Sequence, residues 1–320
     1  MGPEIVGRII AAGLALPSHI VMNRDLAAEY DVTEEWIERR CGIERRFVAR
    51  DETATSLGAE AARTAVANCE VRPDLLLCAT FSPDTLLTPI APAIAHRAGL
   101  GQIAAFDLNA ACAGGLTAFL SCLVYIASGL FRNVLVVATD TTTKHLAQND
   151  LKTRMLFSDG AAALLLGPST GDSATLRVIS HRFGSDGAGI GLFSAEWCQQ
   201  REGRPHVNMN GPALFRFAVE AGVRTLTELC SDANIAPSCL KRILIHQANA
   251  RITRAIRDPF AIPRERWPET LGLGNLAAAS LLFLLADEFT GRRLAGGDLL
   301  ALITFGAGLT WAGLILEVGC

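Results

Sequence analysis

Three residue types, widely separated along the chain, could together make a nucleophilic centre. Cys112 lies in the run Asp107-Leu-Asn-Ala-Ala-Cys112-Ala-Gly-Gly-Leu-Thr117. A short apolar segment that reads as a strand precedes it, and an amphipathic segment from roughly Gly114 to Ser128 reads as a helix after it. A thiol at the first turn of a helix feels the positive end of the backbone dipole and nearby free N–H groups, and both favour the thiolate that attacks carbonyls. The competing reading is a small buried hydrophobe. His246 follows an apolar run in Leu244-Ile-His246-Gln-Ala-Asn249, and Asn275 stands in Gly272-Leu-Gly-Asn275-Leu-Ala-Ala-Ala-Ser280, between glycines and a further helix. A cysteine, a histidine and an asparagine at the ends of buried strands make a nucleophile with two hydrogen-bonding partners. The alternatives are a satisfied core histidine and a turn asparagine flanked by Gly274.

Positioning such residues takes a framework of alternating strands and helices, and the chain carries one. Ile5 to Leu16 reads as a strand ending at Pro17, with Asn23 and Thr33 as N-caps of two short helices. A helix over 56–69, a strand over 75–80, a helix over 91–98 and the strand leading to Cys112 follow, then a buried strand over 132–139. Asp159 to Gly167 and Leu176 to His181 read as a strand pair opening the second half. A helix over 212–232, the strand ending at His246, a helix over 276–288 and two closing strands complete it. The second half loosely replays the first, and the turn residues Pro168-Ser-Thr-Gly-Asp172 place the boundary near residue 170, giving halves 1–170 and 171–320.

Composition agrees with a well-buried α/β enzyme. Half of the 320 residues are hydrophobic, only 19% are charged, and 29 are glycine, which argues against disorder. A net charge of −3 without long runs of one sign argues against a nucleic-acid role. The nine cysteines (41, 69, 78, 112, 122, 198, 230, 239 and 320) are scattered and odd in number, and no Cys-x-x-Cys pair or histidine-rich cluster suggests metal binding. A reduced, cytoplasmic setting is expected. The N-terminus lacks the basic start and apolar core of a signal peptide. Leu299 to Leu316 is uncharged and approaches the length of a membrane span, but Gly306, Gly308 and Gly313 among β-formers predict two buried strands joined by a glycine turn.

In order and over nearly its whole length, the chain resembles the β-ketoacyl-acyl carrier protein synthase III group of the thiolase superfamily. The matching stretches are Glu35-Trp-Ile-Glu-Arg-Arg40-Cys-Gly-Ile-Glu-Arg45, Ala110-Ala-Cys112-Ala-Gly, Phe157-Ser-Asp-Gly-Ala161-Ala, His246-Gln-Ala-Asn249, Gly274-Asn275 and Phe305-Gly-Ala-Gly-Leu-Thr-Trp311. The resemblance implies a thiolase fold, two similar halves packed in α-β-α-β-α layers. It implies that Cys112 takes an acyl group from a thioester, and that His246 and Asn275 stabilise the enolate formed when a malonyl thioester loses carbon dioxide. Preorganised donors in a dry site can do this without a metal. The backbone N–H groups of Cys112 and Ala307 are the implied oxyanion hole, with alanine where the family often has glycine.

The same resemblance assigns Trp36 and Arg40 to stacking on and pairing with coenzyme A, and Arg251 to the tunnel mouth. Arg251, Arg254 and Arg257 recur at helical spacing, which groups them on one side of a helix where they would attract an acidic carrier protein. Where many relatives carry an arginine that closes over the adenine, this chain has Leu151, with Lys152 and Arg154 out of register. That favours an acyl-carrier donor over coenzyme A. Leu87 falls where the family reaches across a dimer to cap the acyl pocket, with Phe81 and Leu276 as added apolar wall. Lys144 is the one cation that could hold an acyl carboxylate.

The expected protein is a homodimeric, decarboxylating condensing enzyme of fatty acid or specialised polyketide biosynthesis. It would join an acyl-CoA or acyl-carrier donor to malonyl-carrier protein, without cofactor, metal, membrane or nucleic acid. The alternative enzyme passes the acyl group to a hydroxyl, an amine or a second carrier without forming a carbon–carbon bond, and a catalytically silent subunit is a third reading. Intact His246 and Asn275 favour condensation, since simple transfer needs no enolate-stabilising pair.

Overall fold

The computed structural model describes residues 4–170, 175–195 and 205–319. Cys198, Cys320 and the end of the turn at 171–172 lie outside the described residues.

Nine strands hydrogen-bond in one continuous series. From one edge to the other they are Ala104–Leu108, Leu75–Ala79, Val134–Asp140, Gly160–Gly167, Val6–Ala15, Thr175–Ser185, Thr310–Val318, Leu299–Gly306 and Leu240–Ile245. The strands buried on both faces read as unbroken apolar runs, as Leu75–Ala79 and Val134–Ala138 show. Helices Gly114–Ala127 and Ser280–Thr290 share one apolar core with strand faces from both halves. Ala54–Val66 and Ala91–Arg97 cover the outer face of the first half, and Gly211–Asp232 and Ala250–Arg257 that of the second. The result is the expected α-β-α-β-α layering, because each sheet face must bury its apolar side against a helix.

Gly160–Gly167 and Thr175–Ser185 do not pair with one another, contrary to the reading from sequence. Both flank the first strand: Arg8 to Ala15 pair with Gly160–Gly167, and Val6 to Arg8 with the start of Thr175–Ser185. The halves therefore meet through the opening strand. The uncharged C-terminal segment is a hairpin, Leu299–Gly306 antiparallel to Thr310–Val318. Among the described residues no helix is long and apolar enough to cross a membrane.

Thr33 caps the helix Glu34–Cys41 as expected, accepting the Trp36 N–H. Asn23 does not cap; it is the first residue of its helix, and Asp25 accepts the Met22 N–H instead. The Asn23 side chain is buried and accepts from Arg46, which is itself buried and donates to the carbonyls of Ile43 and Met155. A buried guanidinium needs such acceptors, so tertiary packing claims the asparagine.

Candidate active site

The turn carrying Cys112 is held from both halves. Ala111 adopts a left-handed conformation (φ 48°), and its N–H is taken by the Asn109 side chain at 3.0 Å. From the second half, the Thr304 hydroxyl donates to the Cys112 carbonyl at 3.1 Å and the Thr310 hydroxyl to the Ala110 carbonyl at 3.2 Å. Gly306 lies so close that a Cβ there would sit 2.8 Å from the Cys112 nitrogen. A Gly306→Ala variant is thus expected to lose ~1–3 kcal/mol of stability, read by thermal unfolding, and to be acylated more slowly, because the cysteine turn must shift to admit the methyl.

His246 follows the strand Leu240–Ile245, its N–H bonded to the Ile303 carbonyl at 2.9 Å, and its ring lies edge-on to Phe305. It is buried, and burial holds its pKa down at about 4, so the imidazole is neutral near pH 7. Nδ1 is shut off from solvent and has no hydrogen-bond partner among the described residues. The ring proton is best placed on Nε2, the nitrogen left to donate. Asn275 is placed by backbone bonds to Leu156 and Ser158, and its Oδ1 accepts the Ala277 N–H at 3.0 Å. With the amide oxygen occupied, the NH₂ group is the free end.

Cys112, His246 and Asn275 all line one cavity of about 970 Å³, together with Ala307. The wall is largely apolar and aromatic: Phe81, Phe157, Phe193, Phe217 and Phe305 contribute, with Phe193 edge-on to Phe81 and tilted against Phe157. Among the described residues, Arg40, Lys152, Arg216 and Arg251 are its cations, and none of those lining it is a carboxylate. Arg40 and Arg251 also border a second, surface pocket of about 670 Å³ beside Trp36.

Two segments of the chain match known family models. Residues 106–187 match 3-oxoacyl-[acyl-carrier-protein] synthase III, and residues 230–318 match the C-terminal part of the same family. The β-ketoacyl-[acyl-carrier-protein] synthase III of Listeria monocytogenes serotype 1/2a is 35% identical over 97% of this chain and 98% of its own. The chain belongs to the 3-oxoacyl-[acyl-carrier-protein] synthase III family. The fold agrees: the synthase III of Pseudomonas aeruginosa PAO1 superimposes with a TM-score of 0.91 at 31% identity, covering 98% of this chain and 99% of that one. The priming β-ketosynthase of the R1128 polyketide pathway gives 0.89 at 33% identity, covering 98% and 96%. The protein is accordingly a thiolase-fold synthase III, an acyltransferase-type condensing enzyme.

Several expectations are corrected within this synthase III site. Cys112 is not poised as a thiolate: burial, and then the charge of Asp140, push its pKa up to about 12, while its own backbone N–H pulls the other way. Desolvation outweighs the pull of that N–H. Leu276 is fully buried in the core below the cavity and does not line it. Lys144 donates to the Glu52 carbonyl and lies outside the cavity wall. Arg257 pairs with Asp258 and Glu269, which leaves Arg251 and Arg254 as the exposed cations of their helix. The expectation for Leu87 concerns the pocket of a partner; in its own chain the residue is 92% exposed on the loop before Ala91. Phe81 does line it, as do Arg40 and Arg251; Trp36 borders the smaller pocket, and Arg254 neither. Leu151 packs in the same apolar cluster as Trp36, while Arg154 is engaged by Glu29 and Tyr30.

Sequence reasoning passed over Phe157, Phe193, Phe217 and Phe305 as cavity wall, and Asn249, whose side chain caps the helix after His246 from within the cavity lining. Aromatics in apolar runs carry no local mark of a cavity. Asp140 was also missed, although a charge closing an otherwise apolar strand is a visible signal.

Proposed function

We propose that this enzyme transfers an acyl group from a thioester to Cys112 and condenses it with a malonyl thioester on acyl carrier protein, giving a 3-ketoacyl product. The single observation that carries this reading is the shared cavity of Cys112, His246 and Asn275, with the two donors free to point into it. In the first step the Cys112 sulfur bonds the acyl carbon, the thioester bond of the donor breaks, and the thiol proton leaves with the departing thiol. A thiol that is protonated at rest fits an exchange that needs no net proton. The Cys112 and Ala307 N–H groups serve as acyl oxyanion donors. In the second step the malonyl thioester loses carbon dioxide, His246 and Asn275 donate to the enolate oxygen, and the carbanion bonds the acyl carbon as the bond to the Cys112 sulfur breaks, the departing thiolate taking a proton from solvent to return to the thiol. The chemistry draws on no cofactor beyond its thioester substrates.

Arg40, Lys152, Arg216 and Arg251, with no opposing carboxylate among the described residues, suit the phosphate of a phosphopantetheine arm. The Arg40 guanidinium lies 3.9 Å from the centre of the Trp36 ring, covering one of its two faces. Together with Leu151, this supports an acyl-carrier donor over coenzyme A. Arg251→Ala is expected to raise KM for carrier-bound substrates about tenfold with kcat nearly unchanged, as for a contact made equally in ground and transition states; steady-state kinetics with malonyl-carrier protein checks it. A second copy of the chain, covering the exposed Leu86 and Leu87 and the edge strand at Phe106, completes the proposed homodimer.

Intact-protein mass spectrometry with a panel of acyl-CoA and acyl-carrier donors tests the reading. An adduct discharged by malonyl-carrier protein, with release of carbon dioxide and a 3-ketoacyl product, is expected. An adduct that persists with malonyl-carrier protein but clears with a hydroxyl, an amine or another carrier would overturn condensation in favour of simple acyl transfer.

A further inference from the structure

Asp140 ends the apolar strand Val134–Asp140 and is fully buried. Its two carboxylate oxygens serve different parts of the molecule. Oδ1 accepts from the Thr80 hydroxyl at 3.0 Å, the Phe81 N–H at 3.0 Å, and the Ser82 N–H and hydroxyl at 3.1 and 2.8 Å. Oδ2 accepts from the Ala278 N–H at 3.0 Å. The first set holds the loop that puts Phe81 into the cavity wall. The second holds the turn next to Ala277, whose own N–H fixes the Asn275 amide oxygen. Ala277 takes the left-handed conformation (φ 52°) that alanine seldom adopts, so that turn needs outside support. Asp140 does not line the cavity itself and can act only through residues that do.

We propose that Asp140 is a positioning residue for condensation: by bridging the Phe81 loop and the Ala277–Ala278 turn, its carboxylate keeps the Asn275 amide aimed into the cavity and sets a fixed negative charge near Cys112. This rests on the condensing reading above. Burial raises the Asp140 pKa to about 6 against the pull of its donors, so the group is ionised at neutral pH. The charge raises Cys112 and also the buried Cys78 and Asp159, while His246 across the cavity stays neutral.

Asp140→Asn separates the two roles, because a carboxamide keeps the shape but offers one acceptor oxygen. With that oxygen kept on the four donors of the Phe81 loop, its NH₂ faces the Ala278 N–H, donor against donor. In the full enzyme, 3-ketoacyl formation is expected to fall on the order of 100-fold while acylation of Cys112 falls by less than about tenfold. Alkylation of Cys112 by iodoacetamide at pH 8, followed by peptide mass, should run about three- to tenfold faster, since losing the charge favours thiolate while a lower pKa blunts its nucleophilicity. A merely structural role would slow both steps alike and would not speed alkylation. Should Asp140→Asn not fold, Thr80→Val, which deletes one donor to Oδ1, carries the test: a severalfold loss of product with acylation intact is expected, and unchanged product formation overturns the proposal. A wild-type enzyme that is acylated but never yields a 3-ketoacyl product overturns the condensing reading and this proposal with it. A wild-type enzyme that condenses, beside an Asp140→Asn enzyme equal to it in product formation and alkylation, overturns the proposal alone.

Discussion

Cys112→Ala should take no acyl group from any donor, and its 3-ketoacyl output should fall on the order of 10⁵-fold, the scale on which removing a covalent nucleophile acts. Among the described residues no second thiol lines the cavity. Of the other cysteines described, Cys41, Cys78, Cys122 and Cys230 are buried in the core and Cys69 and Cys239 lie outside the cavity wall. The substitution removes one sulfur atom and leaves the Ala110 and Cys112 carbonyl contacts, which are backbone groups, so the turn should keep its shape. The donors His246 and Asn275 are untouched, and decarboxylation of a malonyl thioester should therefore persist. Intact mass after exposure to acyl donors, with carbon dioxide release from malonyl-carrier protein, checks both halves. An acyl adduct on the alanine variant would place the nucleophile elsewhere.

His246→Ala and Asn275→Ala should show the opposite pattern. Cys112 remains, so the acyl adduct forms. Product formation should drop by about 10²–10³-fold for each, the usual loss when one preorganised donor to a developing oxyanion is removed. The donors act together on one oxygen, so the double variant should lose less than the product of the two single losses. Protonation of His246 should not limit the rate in the ordinary histidine range. Its pKa is depressed to about 4, so the ring stays neutral as pH falls through 6.5 and gains charge only towards 4. An acid limb near pH 6 would instead report the raised carboxyls of Asp140 and Asp159. Separate pH profiles of acylation and of malonyl decarboxylation check this, and a His246→Ala variant that fails to be acylated would contradict the division of labour.

Local chemistry in the chain was enough for much of this protein. The apolar run and helix around Cys112, the Thr33 cap, the glycine-separated closing hairpin and the strand leading to His246 are all encoded within about a dozen residues, where periodicity and turn residues act. The spacing of motifs was enough for the family. Other features depend on residues far apart in sequence. Whether Asn23 caps a helix turns on Arg46, and whether Lys144 is free turns on the Glu52 carbonyl. Leu276 and Phe193 are both apolar, yet only three-dimensional packing sends the first into the core and the second to the cavity wall. The same holds for ionisation: a helix start argues for a thiolate at Cys112, but burial and the Asp140 charge are properties of the assembled site, and they push the thiol up against the pull of its own backbone N–H. Sequence proximity sets propensity, whereas desolvation and hydrogen-bond partnership arise only when distant segments are brought into contact.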